Sequence, residues 1–270
     1  MTPLPPVIRE ALPFGLRVGV RRAPALLRWA ARRPRVDRTA LGGGHLQVRR
    51  ESPLRRQGTA YAPAIQAAKE HNVRRAAALL DGVRVPAGGA FSWHDTVGPP
   101  LRARGFVPGP ELHDGAFALG GGGGACQVAN LVFWLAVHSG MQLTERHRHG
   151  YDLFPDDDRD VPFGCGATVF WPTRDLRFRN PLPHDLRLRV RVEGDRLVGE
   201  AWLSADPGLR FEIVERDARF ERTPAGVYRV NRLLRCSISP DGARVEEPLL
   251  QNRARVRYAV SPEDLPCSRS

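Results

Sequence analysis

The sequence contains almost no lysine, and its positive charge comes from arginine. Lys69 is the only lysine, yet the formal net charge of the 270 residues is +12. The arginines are scattered along the chain rather than gathered on one phosphate-binding stretch, so no nucleic-acid partner is expected. Only residues 17–36 concentrate them, beside Leu26, Leu27 and Trp29. This basic segment could contact an anionic membrane surface peripherally, or form a solvated terminal helix.

Long apolar runs and paired cysteines are also missing. No segment reaches the length of a transmembrane helix, and the N-terminus lacks the uninterrupted apolar core of a signal peptide. Cys126, Cys165, Cys236 and Cys267 include no CxxC pair, which argues against a zinc ribbon and a disulfide framework. We therefore expect a protein that stays in the cytoplasm, or on the cytoplasmic face of the membrane, and carries no metal and no cofactor.

The spacing of apolar residues changes along the chain from helical to alternating. The stretch from Ala64 to Leu80 has apolar residues on one helix face, and residues 126–139 read as a helix that is apolar all round and therefore central and buried. After about residue 165 the alternation has period two, with a hairpin turn at EGD. These patterns predict an α+β fold, with a helix-rich N-terminal part and a mostly antiparallel, strand-rich C-terminal part.

The most unusual stretch is ALGGGGGACQVANLVFW, residues 118–134, in which five glycines precede a cysteine. A phosphate-binding loop needs Lys-Ser or Lys-Thr after its last glycine, and Ala125-Cys126 stands there instead. A dinucleotide fingerprint is formally present at Gly120, Gly122 and Ala125, but no alternating strand–helix series surrounds it. Nucleotide binding is therefore disfavoured.

Cysteine chemistry is the remaining functional interpretation of this stretch. Cys126 would lie in the first turn of the buried helix, where unsatisfied backbone N–H groups and the helix dipole favour a thiolate. The same N–H groups could hold an oxyanion, and the Gln127 amide could donate as well. A tightly packed glycine turn with an inert, buried cysteine is an equally good interpretation of the spacing.

Two histidines follow the cysteine in TERHRHGYDLFP, residues 144–155. In a strand His147 and His149 would point to opposite sides, so only one could act as base for the thiol of Cys126. Surface histidines are the alternative. A metal site formed by both histidines with Cys126 or Cys165 is less favoured, because no second close-spaced ligand pair is present.

Four segments in this order and spacing resemble the VanW family, which is associated with vancomycin-resistance clusters and the cell wall. The segments are GGAFSWHDTVGP, GGGGACQVANLVFW, ERHRHGYDLFP and GATVFWPTRDLRFRN. The resemblance covers roughly residues 50–260. It implies a basic N-terminal extension over residues 1–50, a VanW-like domain over 51–202, and a strand-rich segment over 203–270 that packs on that domain.

The resemblance implies a cysteine-dependent acyl transfer of the L,D-transpeptidase kind on peptidoglycan stem peptides or their precursors. Cys126 would be the nucleophile and His149 the general base. The residues expected to line the substrate site are Ser92, Trp93, Gly122, Gly123, Gly124, Gln127 and Arg146. Many relatives have aspartate where this chain has Gly166, and Asp152 or Asp160 are the candidates to replace it. The alternative is a module that binds wall peptide or glycopeptide without chemistry.

Overall fold

The computed structural model describes residues 14–32, 36–55, 62–113, 116–148, 150–152, 161–261 and 263. The described chain has the predicted α+β fold, with helices concentrated in its first half and mostly antiparallel strands in its second half. The α-helices are α1 (Phe14–Arg32), α2 (Pro63–Leu80), α3 (Trp93–Thr96) and α4 (Ala125–Val137). A 3₁₀ turn covers Arg102–Arg104.

Two four-stranded sheets contain most of the strands. The first has the order β1-β10-β9-β2 and the second β11-β12-β13-β7. The strands of the first sheet are β1 (His45–Pro53), β2 (Arg84–Val85), β9 (Leu186–Glu193) and β10 (Arg196–Leu203). The strands of the second are β7 (Tyr151–Asp152), β11 (Arg210–Thr223), β12 (Gly226–Ile238) and β13 (Arg244–Val256). All pairs are antiparallel except β7 with β13.

Two smaller sheets lie next to the glycine-rich turn and the motif segments. One has the order β3-β8-β6, formed by β3 (Ala90–Ser92), β8 (Arg177–Arg179) and β6 (Gln142–Glu145). The other is a hairpin of β4 (Gly109–His113) and β5 (Ala116–Gly120). The hairpin leads directly into the glycines, and these lead into α4.

Helix α4 is the centre of the core, as its sequence predicts. Val128, Val132 and Leu135 are fully buried, and the helix packs on α2 and on strands β1 and β10. A Cβ atom on Gly199 of β10 would lie 2.8 Å from the Leu131 side chain. The helix therefore lies so close to this sheet that the strand has room only for glycine at the crossing.

The C-terminal sheet is joined to the core by apolar and polar contacts. Leu233 is fully buried in the main cluster, and Arg235 donates to the carbonyl of Met141 over 2.7 Å. Arg146 donates from Nε to the carbonyl of Gly166 over 2.7 Å and from its other nitrogens to Gly164 and to Asn252 of β13. The arginine thus fixes the segment before Val169, which contacts the cysteine described below.

None of the described helices is long and apolar enough to cross a membrane.

Candidate functional site

The glycine-rich turn is shaped by close backbone packing. A Cβ on Gly123 would lie 2.6 Å from Cα of Gly109, and a Cβ on Gly121 would collide with the carbonyl of Pro100. Gly124 is the N-cap of α4 and has φ of +96°, a conformation that side-chain-bearing residues rarely adopt. Three of the glycines are therefore needed to bring three chain segments together at the start of α4.

Glu111 of β4 occupies part of the turn. Its Oε1 accepts a hydrogen bond from the N–H of Gly122 over 2.5 Å. The carboxylate thereby occupies the backbone N–H of Gly122, one of the glycines expected to line the substrate site. Sequence reasoning missed Glu111, because only the β4–β5 pairing places it beside the glycines, ten residues further along the chain.

Cys126 lies in the first turn of α4, half-buried, and its thiol donates to the carbonyl of Val169 with Sγ and O 3.6 Å apart. Burial raises the pKa of this thiol, and the charge of Glu111 raises it further. The hydrogen bond to Val169, which is a larger effect than the charge of Glu111, and the charge of Arg174 act in the opposite direction, but burial outweighs them. The net pKa shift is opposite to the thiolate-favouring effect expected from the helix terminus. A base must therefore take the proton if this sulfur is to attack.

Of the two histidines predicted as base candidates, His147 lies within the described residues. His149 lies outside the described residues, as does Asp160. Nε2 of His147 is 2.9 Å from Oε1 of Glu145, so one ring nitrogen is already engaged. The carbonyl of His147 accepts from the N–H of Thr168, which places this histidine beside the segment that contacts Cys126.

Ser92 and Trp93, expected to line the substrate site, have structural contacts. The Ser92 hydroxyl caps α3 by accepting from the N–H of Asp95, and it donates to Asp175 over 2.7 Å. Trp93 is buried in the core, with 3% of its surface exposed. In the next residue, His94, one ring nitrogen has no hydrogen-bond partner among the described residues.

His94 is a site candidate that sequence reasoning missed. Its ring is mostly buried and packs edge-on against Trp171, with centroids 4.8 Å apart. Nδ1 lies 3.9 Å from a carboxylate oxygen of Asp175, and Nε2 is buried with no hydrogen-bond partner among the described residues. The sequence indicates this residue only through its position in SWHDTV, directly after Ser92 and Trp93, which are expected to line the substrate site.

The side chains of Gln127 and Arg146 form hydrogen bonds with other parts of the protein. The Gln127 amide donates to the carbonyl of Pro53 at the end of β1 over 2.8 Å. Burial lowers the pKa of Arg146 to about 10, and its guanidinium donates to two loop carbonyls and to Asn252. Both side chains therefore connect segments that are far apart in the sequence.

An aspartate at position 166, as expected from relatives, would have to displace the side chain of Asn130. A Cβ there would lie 2.6 Å from Oδ1 of Asn130, which accepts from the N–H of Ala167. Asp152, one candidate replacement, is buried and accepts from the Tyr258 hydroxyl over 2.9 Å. In this chain Asn130 therefore holds the loop through a neutral hydrogen bond.

Helix α1 docks beside His94. The Trp29 indole N–H donates to the carbonyl of His94 over 3.0 Å, and its ring packs edge-on against Trp171 with centroids 6.1 Å apart. Arg32 forms a 3.0 Å ion pair with Asp95. Leu27 is 72% exposed on the same helix. Trp29, which the sequence offers for membrane contact, therefore packs against the protein instead.

No cluster of three or more potential metal ligands occurs among the described residues. Cys126, Cys165 and Cys236 are free thiols, and Cys267 lies outside the described residues.

Comparison with known proteins gives the family. The family model described as VanW like protein matches residues 68–202, half of the chain, so the chain belongs to the VanW family. This range contains the turn, Cys126, His94 and the 169–175 segment, and it confirms the resemblance read from the four motifs.

Two curated proteins are similar to the chain. Vancomycin B-type resistance protein VanW of Enterococcus faecalis is 24% identical over 223 residues, which are 82% of this chain and 81% of that protein. The uncharacterized protein YoaR of Bacillus subtilis is 28% identical over 145 residues, which are 53% of this chain and 45% of that protein. No solved structure matches the chain.

Proposed function

We propose that this protein is a cysteine-dependent acyltransferase of the L,D-transpeptidase kind that acts on peptidoglycan stem peptides or their precursors. The proposal depends mainly on Cys126, a half-buried thiol at the start of a rigid, buried helix and beside a turn of glycines. Similarity to a protein named for vancomycin resistance supports a role connected with the cell wall. Catalysis would need no cofactor.

The first step transfers the acyl group to sulfur. The Cys126 thiol loses its proton to a base, sulfur attacks the carbonyl carbon of the donor peptide bond, and the bond to the leaving amine breaks as that amine takes a proton. An amine of a second stem then attacks the thioester, forming a new amide and returning the sulfur. His149 stays our candidate for the base in the first step. Because burial raises the pKa of the thiol, we expect sulfur to be activated only when substrate is bound.

Intact mass spectrometry tests this proposal. The protein is incubated with peptidoglycan stem peptides, and a mass increase equal to the acyl group is sought on the Cys126 peptide. Cys126→Ser must abolish the adduct, whereas Cys165→Ser, a buried free cysteine of the same chain, must keep it. His149→Asn should slow adduct formation by about 100-fold if it is the base. Full turnover by Cys126→Ser would exclude the nucleophile role.

A wall-peptide binding module without chemistry is the second candidate. It is favoured by two observations at the site: the raised pKa of the Cys126 thiol, and the use of the Gly122 N–H by Glu111. Calorimetric titration with stem peptide or with glycopeptide separates the two candidates. Saturable binding with neither turnover nor a Cys126 adduct would select this one.

Membrane contact through residues 17–36 is a separate proposal. Leu27 is exposed, but Trp29 and Arg32 are engaged with the domain. Sedimentation with vesicles containing anionic lipid, compared with neutral vesicles, tests it. Equal recovery with both would exclude electrostatic attachment.

A further inference from the structure

We propose that His94, with Asp175 as its positioning residue, accepts the proton of the amine that attacks the acylated Cys126. The inference rests on the proposed acyltransferase function and assigns the proton acceptor of its second step. The attacking nitrogen forms a C–N bond with the thioester carbonyl, the C–S bond breaks, and its electron pair stays on Sγ. The proton leaves the nitrogen for Nε2 of His94 and later returns to the sulfur.

The free nitrogen of His94 is the first observation. Buried polar atoms almost always have a partner, and an exception in a native structure needs a reason. Nε2 is buried and lacks a partner within the described part of the chain. Burial lowers the pKa of His94, while the charges of Asp175 and Glu145 and a hydrogen bond with the backbone of Arg174 oppose this shift. The imidazole is therefore neutral near pH 7, with one nitrogen free to accept a proton.

Asp175 is held in a fixed position beside the other ring nitrogen. Its carboxylate accepts from the Ser92 hydroxyl over 2.7 Å, from the N–H groups of His94 and Leu176 over 2.9 Å each, and from Nε of Arg177 over 2.7 Å. It is almost fully buried. A carboxylate 3.9 Å from Nδ1 favours the tautomer that carries its proton on Nδ1, and this leaves Nε2 as the acceptor.

A short, closed turn connects His94 with Cys126. Phe170 and Arg174 exchange backbone hydrogen bonds of 2.9 and 2.8 Å. On one side of this turn the Val169 carbonyl accepts from the Cys126 thiol, and on the other side Trp171 packs on the His94 ring. The turn therefore carries one contact to the sulfur and one to the imidazole.

The hydrogen-bond partners of the two groups decide which step His94 serves. The Cys126 thiol donates to a carbonyl, and no described hydrogen bond joins it to His94. A base for the thiol should lie within hydrogen-bond reach of sulfur, whereas a base for the acceptor must reach the incoming nitrogen on the far side of the acyl carbon.

Pre-steady-state kinetics with p-nitrophenyl acetate as acyl donor and glycinamide as acceptor test the assignment. Release of p-nitrophenol in a burst reports acetylation of Cys126, with Cys126→Ser as the background. Glycinamide-dependent loss of the acetyl group, followed by intact mass, reports the second step. For His94→Gln we expect a burst within about two-fold of wild type and an amine-dependent step slowed by about 100-fold. Added imidazole should restore part of that rate.

His45→Gln is the matched control, because this histidine lies on β1 with its ring 3.7 Å from Asp206, and it should change neither step. Asp175→Asn should slow the amine step with an altered pH profile while leaving the burst near wild type, an effect that a merely structural role would not produce. An amine step of wild-type rate in His94→Gln would overturn the assignment. An equal loss of burst and amine step would also overturn it, since His94 would then serve the thiol or the fold. A wild-type protein without any burst would refute the acyltransferase proposal itself, and this inference with it.

Discussion

At the scale of single residues, two neighbouring glycines of the same turn face different atoms. A Cβ on Gly123 would lie 2.6 Å from Cα of Gly109 and from the backbone nitrogen of Pro110, which cannot move alone. A Cβ on Gly122 would meet Oε1 of Glu111 at 2.9 Å, the flexible end of a side chain. The same substitution should therefore have unequal effects at these two positions.

We expect Gly123→Ala to lower the free energy of unfolding by about 1–3 kcal/mol, the usual cost of forcing extra volume into a packed site. Gly122→Ala should cost clearly less, because the carboxylate can rotate away. Urea denaturation of both variants measures the difference. Equal losses would mean that the turn relaxes as a whole and that backbone contact does not explain its glycines.

Glu111 affects the reactivity of Cys126 through its charge. Since that charge raises the pKa of the thiol, Glu111→Gln should lower this pKa and speed alkylation of Cys126 by iodoacetamide near neutral pH. Glutamine keeps an oxygen that can accept from the N–H of Gly122. Peptide mass spectrometry against pH gives the rate, and Cys165, whose pKa burial raises to about 12, is the internal control and should not change. An unchanged Cys126 profile would contradict the electrostatic argument.

At the scale of elements, Trp29 forms several of the described contacts between helix α1 and the domain. Trp29 contacts the His94 carbonyl and Trp171, the Arg104 guanidinium lies 4.8 Å from its ring centroid, and Gly98 leaves the space for the indole. A single helix is marginally stable in water unless it packs on something.

Trp29→Ala should therefore release α1 while the rest of the fold stays intact. We expect faster amide hydrogen exchange over residues 23–32, with strands β9 and β10 unchanged. Leu27→Ala, on the exposed side of the same helix, is the matched control and should leave exchange as in wild type. Protection of α1 that survives in Trp29→Ala would show that other contacts hold the helix.

At the scale of the whole molecule, a stacked group joins the first sheet to the central helix. The guanidinium carbon of Arg50, on β1, lies 4.3 Å from the centroid of the Trp134 ring. His138 stacks on the same indole, with the ring centroids 3.8 Å apart. Burial lowers the pKa of His138 to about 4, although its hydrogen bond to the Trp134 carbonyl opposes this shift. The folded protein therefore resists protonation of this imidazole.

The lowered pKa of His138 predicts that acidification destabilises the fold. Between the unfolded pKa of 6.5 and the folded value of about 4, the unfolded chain binds the proton more readily. The contribution of His138 to the free energy of unfolding is fully present above pH 6.5. It falls by on the order of 3 kcal/mol as the pH drops to about 4. His138→Gln should flatten this part of the curve of unfolding free energy against pH. His45→Gln, at a partly exposed position, should keep the slope. An unchanged slope in His138→Gln would exclude this histidine as its source.

The local patterns predicted much of the fold. The helix expected over 64–80 is observed over Pro63–Leu80, and the one expected over 126–139 over Ala125–Val137. The alternating segments from Leu176 onward became strands β8–β13, whereas residues 167–171, which were also expected as a strand, form a turn with an isolated bridge at Phe170. These elements were predictable because the helix and strand periods depend on residues that are close in the sequence. The motif spacing that indicates the family can also be read directly from the sequence.

The site was less predictable, since its contacts join residues far apart in sequence. The sequence by itself determined the α+β order, the position of Cys126 in the first turn of a buried helix, and the family. Only the tertiary structure showed that Glu111 binds the glycine turn and that Ser92 caps a helix. It also showed that a buried nitrogen of His94, beside Asp175, lacks a described hydrogen-bond partner, and that Trp29 packs next to this histidine. Burial and the charge of distant residues set the pKa of a side chain. A thiol that looks activated by its own helix therefore has its pKa raised once the chain has folded around it.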